Sequence, residues 1–332
     1  MLAPTRRFTV LAAIAVGAVL LASCQPPPNP RGQLTLRSGS DPSCPVGSTC
    51  QPFTVSACPG VAADGPGVFA IGEPTSGVAR RGTVAFFSGG GGGAWWSGGH
   101  AAFLATLRQD GFRTVEVRWE QPWSDAAPGE RTGTAKLACR PATAIAWIHD
   151  HLYDPPATSG PTVRGRCGFC VTGNSGGSSQ ISYSLELYGL EDELDAIIPT
   201  SGPPQAAQEK GCLDVPGFEY LTSGNRDIID GAFGYLRGDG PCAAHGVGFD
   251  FSAQWRSNSV ETAGGDYDHP KTRVQFIFGA QDHTNSPTHG RTYEQALIDH
   301  GSPLVSEVVV ANMGHGIGSP DGLAALRAAL EE

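Results

Sequence analysis

The chain has 332 residues and a formal net charge of −10, from 22 Lys and Arg against 32 Asp and Glu. Its basic runs are the pairs Arg6-Arg7 and Arg80-Arg81, so the charge pattern argues against a nucleic-acid-binding protein. The length is ample for one large hydrophobic core and somewhat long for two typical domains.

The N-terminus has the pattern of an export signal. Arg6 and Arg7 precede an uncharged, mostly apolar run from Phe8 to Ser23. This run is short for a membrane-spanning helix, which needs about 20 residues, and its basic start and small-residue end are typical of a signal peptide. The stretch LLASC, which ends at Cys24, resembles a bacterial lipobox, whose cysteine is lipid-modified and becomes the new N-terminus. We therefore expect residues 1–23 to be a lipoprotein signal peptide and the mature chain to be anchored to a bacterial membrane of the cell envelope through Cys24; the alternative is a plain signal peptide with a chance cysteine.

A Pro-rich stretch, QPPPNPRG, follows from Gln25 to Gly32. Proline stiffens a chain into an extended spacer. We interpret residues 24–50 as a tether and N-terminal segment, and residues 51–332 as the main domain.

From Thr83 onward, apolar patterns predict strands that alternate with helices. The predicted strands lie at 83–88, 112–119, the end of 162–172, 194–202, 272–282 and 304–314. The predicted helices lie at 100–111, 137–154 with a start near Pro141, 176–189, 291–301 and 319–332. Such alternation is typical of an α/β protein with a mostly parallel sheet. Residues 203–271 have no long periodic run, and we interpret them as an insertion that caps the C-terminal edge of the sheet.

Nine cysteines are consistent with export. If Cys24 carries lipid, the others form an even set that can make disulfides in an oxidising compartment: Cys44, Cys50, Cys58, Cys139, Cys167, Cys170, Cys212 and Cys242. Proximity in sequence favours Cys212 with Cys242, and Cys44 with either Cys50 or Cys58. The Cys167-x-x-Cys170 spacing also suits zinc, but no second pair at zinc-finger spacing accompanies it. We expect disulfides there, and neither a metal nor a cofactor.

The stretch GNSGG has Ser175 between Gly173 and Gly177. By itself this pattern also fits a flexible Ser/Gly loop. Here it lies between a predicted strand and a predicted helix, which is the context of a nucleophile elbow. A serine hydroxyl is a weak nucleophile and needs an adjacent base oriented by a third group.

Two later residues can supply those groups, because Asp282 ends a predicted strand and His315 follows the next one. Ser, Asp and His thus occur in the chain order of the α/β-hydrolase superfamily, which the chain resembles through GNSGG, GAQD and MGHG. The resemblance covers residues 83–332. It implies an α/β-hydrolase fold, with a mostly parallel sheet flanked by helices and a cap insertion. It further implies that Ser175 is the nucleophile, His315 the general base and Asp282 the acid that holds the imidazole.

The superfamily also places two backbone N–H groups around the oxyanion of the reaction. One is the amide of the residue after the nucleophile, here Gly176. The glycine-rich stretch from Phe86 to Trp96 resembles the loop that provides the other, with Ser88 where histidine often stands. This alignment points to Gly90 and Gly91, and it leaves open which glycine among residues 89–93 donates.

Other residues compete for these roles. His283 could replace His315 as the base, and Asp266 or Asp268 could replace Asp282 as the acid. His149 and His151 are spaced on different faces of a helix and are expected at the surface. Trp95 and Trp96 either line an acyl or aromatic subsite or pack in the core or at its rim.

The sequence therefore predicts a serine hydrolase, specifically a carboxylic-ester hydrolase that acts on a small or polymeric ester. A serine peptidase or polyester depolymerase is an alternative within the enzymes. A non-catalytic surface protein that uses the same fold for binding is the alternative outside them. The sequence does not indicate an oligomeric state.

Overall fold

A computed structural model describes residues 26–154 and 167–332, and in these ranges the strands form one nine-stranded sheet. The predicted signal peptide and Cys24 lie outside the described residues. The strands are β1 (Gln33–Leu36), β2 (Thr49–Ser56), β3 (Gly65–Gly72), β4 (Gly82–Phe87), β5 (Phe112–Trp119), β6 (Phe169–Asn174), β7 (Ala196–Thr200), β8 (Arg273–Gly279) and β9 (Val305–Val310).

The spatial order of the strands is β1-β2-β3-β5-β4-β6-β7-β8-β9. From β5 to β9 all neighbours are parallel, and β1, β2 and β3 extend the sheet with antiparallel pairs. Every residue of β4 is buried, as expected for a parallel strand covered on both faces. The sheet is therefore mostly parallel, as the sequence predicts.

Helices cover both faces of the sheet. They are α1 (Ala101–Gln109), α2 (Thr134–Leu137), α3 (Cys139–Leu152), α4 (Gly176–Tyr188), α5 (Gln208–Cys212), α6 (Ser223–Ala232), α7 (Ser252–Arg256), α8 (Ser286–Asp299) and α9 (Pro320–Glu331). One apolar cluster includes residues of α3, α4 and α8, and a second includes residues of α1 and α9. None of the helices in residues 26–154 and 167–332 combines the length and the apolar character that crossing a bilayer requires.

One predicted helix start is confirmed to within two residues, and another is wrong. Helix α3 begins at Cys139, near Pro141 and within the predicted range 137–154, and α2 leads into it through Ala138 in a helical conformation. Helix α8 begins at Ser286 instead of Arg291, with a proline in its first turn, where the missing N–H costs nothing. The first turn of α8 has mostly polar residues, so the spacing of apolar residues does not indicate where this helix starts.

The sheet begins before residue 51, where the sequence predicts the start of the main domain. Strand β1 and the first two residues of β2, Thr49 and Cys50, precede that boundary. Strand β1 pairs with residues 53–56 of β2, and Thr49 and Cys50 pair with β3 in the same sheet. The Pro-rich residues before β1 also pack on the domain, since Asn29 N donates to Leu187 O over 2.7 Å and Arg31 pairs with Glu193. The folded domain thus includes residues assigned to the tether.

Residues 203–271 leave the sheet after β7 and return at β8, as an insertion. They contribute α5, α6 and α7 and most of a third apolar cluster, which includes Phe233 and Trp255. The insertion contacts loops that follow the C-terminal ends of two strands: Ala126 N, after β5, donates to Gly231 O over 3.0 Å, and Asn285, after β8, donates to Glu219 O over 3.1 Å.

The structure contains four disulfides in its described residues: Cys44–Cys50, Cys58–Cys139, Cys167–Cys170 and Cys212–Cys242. The pairing of Cys212 with Cys242 is as predicted, and Cys50 rather than Cys58 is the partner of Cys44. The bond between Cys58 and Cys139 joins the segment after β2 to the start of α3. The bond between Cys212 and Cys242 closes a loop within the insertion.

Candidate active site

Ser175 lies in the turn between β6 and α4. Its backbone has φ 54° and ψ −120°, a conformation that costs a residue other than glycine on the order of 1–3 kcal/mol. The Ser175 N–H donates to Thr200 O of the neighbouring strand over 2.9 Å, and Ser175 O accepts from Ser178 N over 2.9 Å. These hydrogen bonds hold the strained turn at the C-terminal edge of the parallel sheet, where α/β proteins place their ligands.

The glycines of the motif allow α4 to approach the sheet closely. A Cβ at Gly173 would clash with the carbonyl group of Gly177, and a Cβ at Gly177 would clash with Phe87 O of β4. A larger residue at either position would push the helix start away from the strands. The motif is therefore required by the local packing, and it is not a loose Ser/Gly loop.

Asp282 and His315 follow the adjacent strands β8 and β9, and they meet in a hydrogen bond. Asp282 Oδ2 lies 2.9 Å from His315 Nδ1, and the Asp282 side chain is fully buried. The other oxygen of this carboxylate accepts from Thr284 N over 3.0 Å and from Thr284 Oγ1 over 2.7 Å. Burial raises the pKa of Asp282, but the hydrogen bonds from His315 and Thr284 outweigh it, and the net pKa lies below its usual value. Asp282 is thus an ionised acceptor, which keeps the proton of neutral His315 on Nδ1 and leaves the Nε2 lone pair free.

The loop that carries His315 is attached to the serine turn. Asn174, the residue before Ser175, donates from Nδ2 to His315 O over 3.1 Å. Within the described ranges no hydrogen bond joins Ser175 Oγ to the imidazole, whose residue keeps 35% side-chain exposure. In enzymes without substrate such contacts are often long and tighten when the substrate binds.

The glycine-rich stretch after β4 forms a turn against the start of α4. Gly92 N donates to Gly89 O over 3.1 Å, and Gly90 has φ 59°. A Cβ at Gly176 would lie 2.8 Å from Gly90 N and would clash with Gly90 O. Gly91, in contrast, packs against Pro122. Of the two predicted loop donors, Gly90 is thus the one whose amide nitrogen directly adjoins Gly176.

Gln180, which the sequence analysis did not identify, contacts the base of the glycine-rich turn. Gln180 of α4 is fully buried, accepts from Trp119 Nε1 over 2.7 Å and reaches Ser88 O with Nε2 over 3.4 Å. Trp119 N in turn donates to Gly92 O over 2.9 Å. Gln180 is a polar residue in a helix that is buried along its whole length. The sequence shows the polar residue but does not indicate what its side chain contacts.

The competing histidines and acids lie elsewhere. His283 is exposed, and it is His315 that bonds Asp282. Asp266 belongs to a different cluster, with Glu191 and His269, and Asp268 is partly exposed. His151 is exposed and stacks on Trp147, and His149 keeps 29% side-chain exposure, in agreement with their expected surface positions.

The tryptophans after the glycine turn have different environments. Trp96 is buried in the second apolar cluster and contacts Phe86, so it is a core residue. Trp95 is partly exposed, donates from Nε1 to Ser43 Oγ over 3.1 Å and lies under the Arg118 guanidinium. Of the two, Trp95 is the one that a ligand can reach.

Solved structures with similar folds have low sequence identity to this chain. A puromycin-hydrolysing peptidase of Mycobacterium tuberculosis is 13% identical with a TM-score of 0.57, over 87% of this chain but only 40% of the peptidase. Acetyl xylan esterase 1 of a Thermoanaerobacterium species is 13% identical with a TM-score of 0.55, over 90% of this chain and 88% of the esterase. A thermostable carboxylesterase cloned from a metagenomic library is 16% identical with a TM-score of 0.50, over 85% of this chain and 90% of that chain. No protein-family model matches the sequence, and no curated protein matches it either.

These similarities and the strand order define the fold. The chain has the α/β-hydrolase fold, with a mostly parallel sheet flanked by helices. At this level of identity the comparison establishes the fold, and a shared fold does not imply a shared activity.

Proposed function

We propose that this chain is a serine hydrolase that cleaves carboxylic esters through an acyl-enzyme. The observation that carries the proposal is the hydrogen bond between Asp282 and His315 beside a serine held in a strained strand-to-helix turn. A buried carboxylate, an imidazole and a serine at one edge of the sheet are the groups that acyl transfer needs.

In the proposed reaction, Ser175 Oγ attacks the acyl carbon of the ester while His315 Nε2 takes the hydroxyl proton. The tetrahedral intermediate then carries a negative oxygen. The N–H groups of Gly176 and Gly90 are the proposed donors to this oxygen, with Gly91 the remaining candidate. In other enzymes, one such donor contributes about 2.7–4 kcal/mol to transition-state stabilisation.

The intermediate collapses when His315 gives the proton to the alkoxide oxygen, and the alcohol leaves. Water then attacks the acyl group on Ser175, with His315 again taking the proton. The second tetrahedral intermediate releases the carboxylic acid and returns the proton to Ser175 Oγ. Throughout both halves Asp282 orients the ring and stabilises the imidazolium.

An ester is the first substrate class to test. The fold neighbours include esterases and a peptidase, and this chain spans 88% and 90% of the two esterase chains but 40% of the peptidase. We propose that the insertion at residues 203–271 and Trp95 shape the substrate site, for a small or a polymeric ester. Serine peptidase and polyester depolymerase activities, and non-catalytic binding, are the alternatives.

The proposal is tested by a fluorophosphonate probe and a short-chain nitrophenyl ester. The purified chain should be labelled and should cleave the ester, and Ser175→Ala should lose both. Ser257→Ala, which removes an exposed hydroxyl of the insertion, is the matched control and should retain both. If the probe does not label the wild-type chain, the binding-protein alternative is favoured. If the wild-type chain is active, a screen of acyl lengths, feruloyl and acetylated sugars, and peptides would define the acyl group that it cleaves.

We further propose that the chain is exported and anchored through lipid on Cys24. The support is the signal-like residues 1–23 and the lipobox-like sequence that ends at Cys24, and the disulfides agree with an oxidising compartment. Radiolabelled palmitate should enter the wild-type chain in a bacterial host. Incorporation that persists in Cys24→Ala would contradict the lipid assignment.

A further inference from the structure

Outside the proposed active site, three potential metal ligands converge where the insertion rejoins the sheet. Glu191 lies in the connection from α4 to β7, and Asp266 and His269 lie in the segment that leads into β8. One ligand atom from each of these residues lies within 4.8 Å of the other two. A set of one imidazole and two carboxylates can bind a divalent cation.

A buried carboxylate fixes which nitrogen of His269 is available. His269 Nε2 lies 3.2 Å from Glu186 Oε1, and the same oxygen accepts from Tyr293 OH over 2.5 Å. Because Glu186 is an acceptor for His269 Nε2–H, the neutral imidazole has its lone pair on Nδ1. A carboxylate that orients a histidine in this way is the usual outer partner of a metal-binding imidazole.

His269 Nδ1 has no hydrogen-bond partner in the described part of the chain, and the residue is 1% exposed. A buried nitrogen lone pair with no donor costs free energy unless a ligand satisfies it. Oε2 of Glu186 is likewise buried and unpartnered among the described residues. The cluster thus has two buried polar atoms, His269 Nδ1 and Glu186 Oε2, without a hydrogen-bond partner among the described residues.

The electrostatics of the cluster favour positive charge. Three acidic residues, Glu186, Asp266 and Glu191, lie around His269. Their negative charges would stabilise a metal ion beside the ring. A cavity of about 190 Å³ borders Glu186 and Asp266.

We propose that His269 Nδ1 and one oxygen each of Asp266 and Glu191 bind a divalent transition-metal cation, with Zn²⁺ as the first candidate. Imidazole favours Zn²⁺ over Mg²⁺ or Ca²⁺, and three protein ligands with water in the remaining position is an established zinc geometry. Glu186 acts through His269 and does not touch the metal.

Such an ion would connect two parts of the chain that meet at this point. Glu191, which follows α4, accepts from Lys271 N through Oε1 over 3.0 Å and from Thr272 Oγ1 through its backbone O over 3.1 Å. Asp266 N donates to Glu186 O over 2.9 Å. The ion would therefore fasten the end of the insertion to the helix that carries the Ser175 turn. Its role is structural, and it does not depend on the proposed catalytic function.

The test is zinc binding by the purified full chain after removal of metals with a chelator. Titration with ZnCl₂ in a calorimeter should show saturation at one ion per chain. Glu191→Gln and His269→Asn should each weaken binding at least ten-fold, and Glu186→Gln about 10- to 100-fold because it replaces the charged partner of the ring by a neutral amide. His245→Asn, which disrupts an exposed His–Asp pair in the insertion, is the control for non-specific binding and should bind zinc like the wild type.

Co²⁺ gives a second readout that does not depend on calorimetry. The wild-type chain should show a visible absorption band on addition of Co²⁺, and ZnCl₂ should displace it. Glu191 is partly exposed, so Glu191→Gln is expected to fold even where a change at buried His269 does not. Absence of saturable zinc binding, binding that is unchanged in Glu191→Gln, or binding that is lost in His245→Asn would overturn the proposal.

Discussion

Gln180 of α4 and Trp119 of β5 connect the helix that follows Ser175 to the glycine turn, with Gln180 Oε1 2.7 Å from Trp119 Nε1. The serine turn begins the same helix, so a single element positions both the proposed nucleophile and the proposed oxyanion donors. Gln180 is fully buried, and its amide has partners on the strand and on the loop. This pair therefore links α4 to the turn that contains Gly90, since Trp119 N also donates to Gly92 O.

Gln180→Leu should lower kcat by about 10- to 100-fold with little change in KM. Leucine removes the hydrogen bonds to Trp119 and to Ser88 O, and a displaced donor loses part of the 10²–10³-fold that an oxyanion donor contributes. Ester hydrolysis under steady-state conditions measures the two constants. Ser184→Ala is the control, because it removes a buried hydroxyl whose hydrogen bond, to Gln180 O, lies within the same helix. A Gln180→Leu variant with unchanged kcat would mean that the turn does not need this support.

Asp282→Asn should lower kcat by about 10³- to 10⁴-fold while the chain stays folded. An asparagine amide can donate to His315 Nδ1, which moves the ring proton to Nε2 and removes the base that Ser175 needs. The measurement is kcat for ester hydrolysis beside a far-UV circular dichroism spectrum. Asp268→Asn, at the acid considered as an alternative from sequence, should retain activity. If Asp268→Asn rather than Asp282→Asn abolished activity, the assignment of the acid would be wrong.

The parallel part of the sheet was predictable because its strands are short, apolar and separated by amphipathic helices. The strands β4 to β9 and the positions of Ser175, Asp282 and His315 at their ends follow from that pattern. The antiparallel strands were not predictable in the same way. β3 has the sequence GPGVFAIG and β2 contains Pro52, and glycine and proline are typical of loops.

Contacts between distant polar residues were the other part that the sequence did not indicate. Gln180 reads as one more polar residue on a helix, and only the fold places it beneath the glycine turn. Glu191 and His269 are separated by most of the insertion, so no local spacing indicates a metal site. A short motif such as GNSGG indicates a local contact, here the close approach of Gly173 and Gly177. The contacts of Gln180 and of the Glu191–His269 cluster depend instead on the order of the strands in the sheet.

The disulfides should differ in stability contribution according to the loops they close. Cys44 and Cys50 are separated by 6 residues and Cys58 and Cys139 by 81. By chain-entropy arguments, removal of the shorter link should cost about 2 kcal/mol and removal of the longer link about 4–5 kcal/mol of unfolding free energy. Urea unfolding of the two double alanine variants under non-reducing conditions measures this difference. Equal losses would show that the native-state contacts of these cysteines, rather than loop length, determine their contribution.

The stability of the chain should fall in acid through His289, which connects the insertion to α8. His289 Nε2 lies 2.7 Å from Phe218 O, and the ring stacks on Tyr220 at 5.0 Å. Burial, the largest effect, lowers the pKa of His289 from 6.5 to about 4. Between these two values the unfolded chain binds a proton at this residue and the folded chain does not. The stabilisation by neutral His289 is therefore complete above pH 6.5 and is lost progressively as the pH falls towards 4, by a total of about 3 kcal/mol.

His289→Gln isolates this effect, because glutamine keeps an N–H donor for Phe218 O and does not titrate. Urea unfolding at pH 7 and at pH 4.5 should show a smaller loss of unfolding free energy in His289→Gln than in the wild type. Asp282 and the other carboxylates titrate alike in both proteins, so their contribution cancels in the comparison. His245→Gln, at an exposed histidine of the insertion, should behave as the wild type does. An identical loss in His289→Gln and the wild type would show that protonation of His289 does not open the contact between α8 and the insertion.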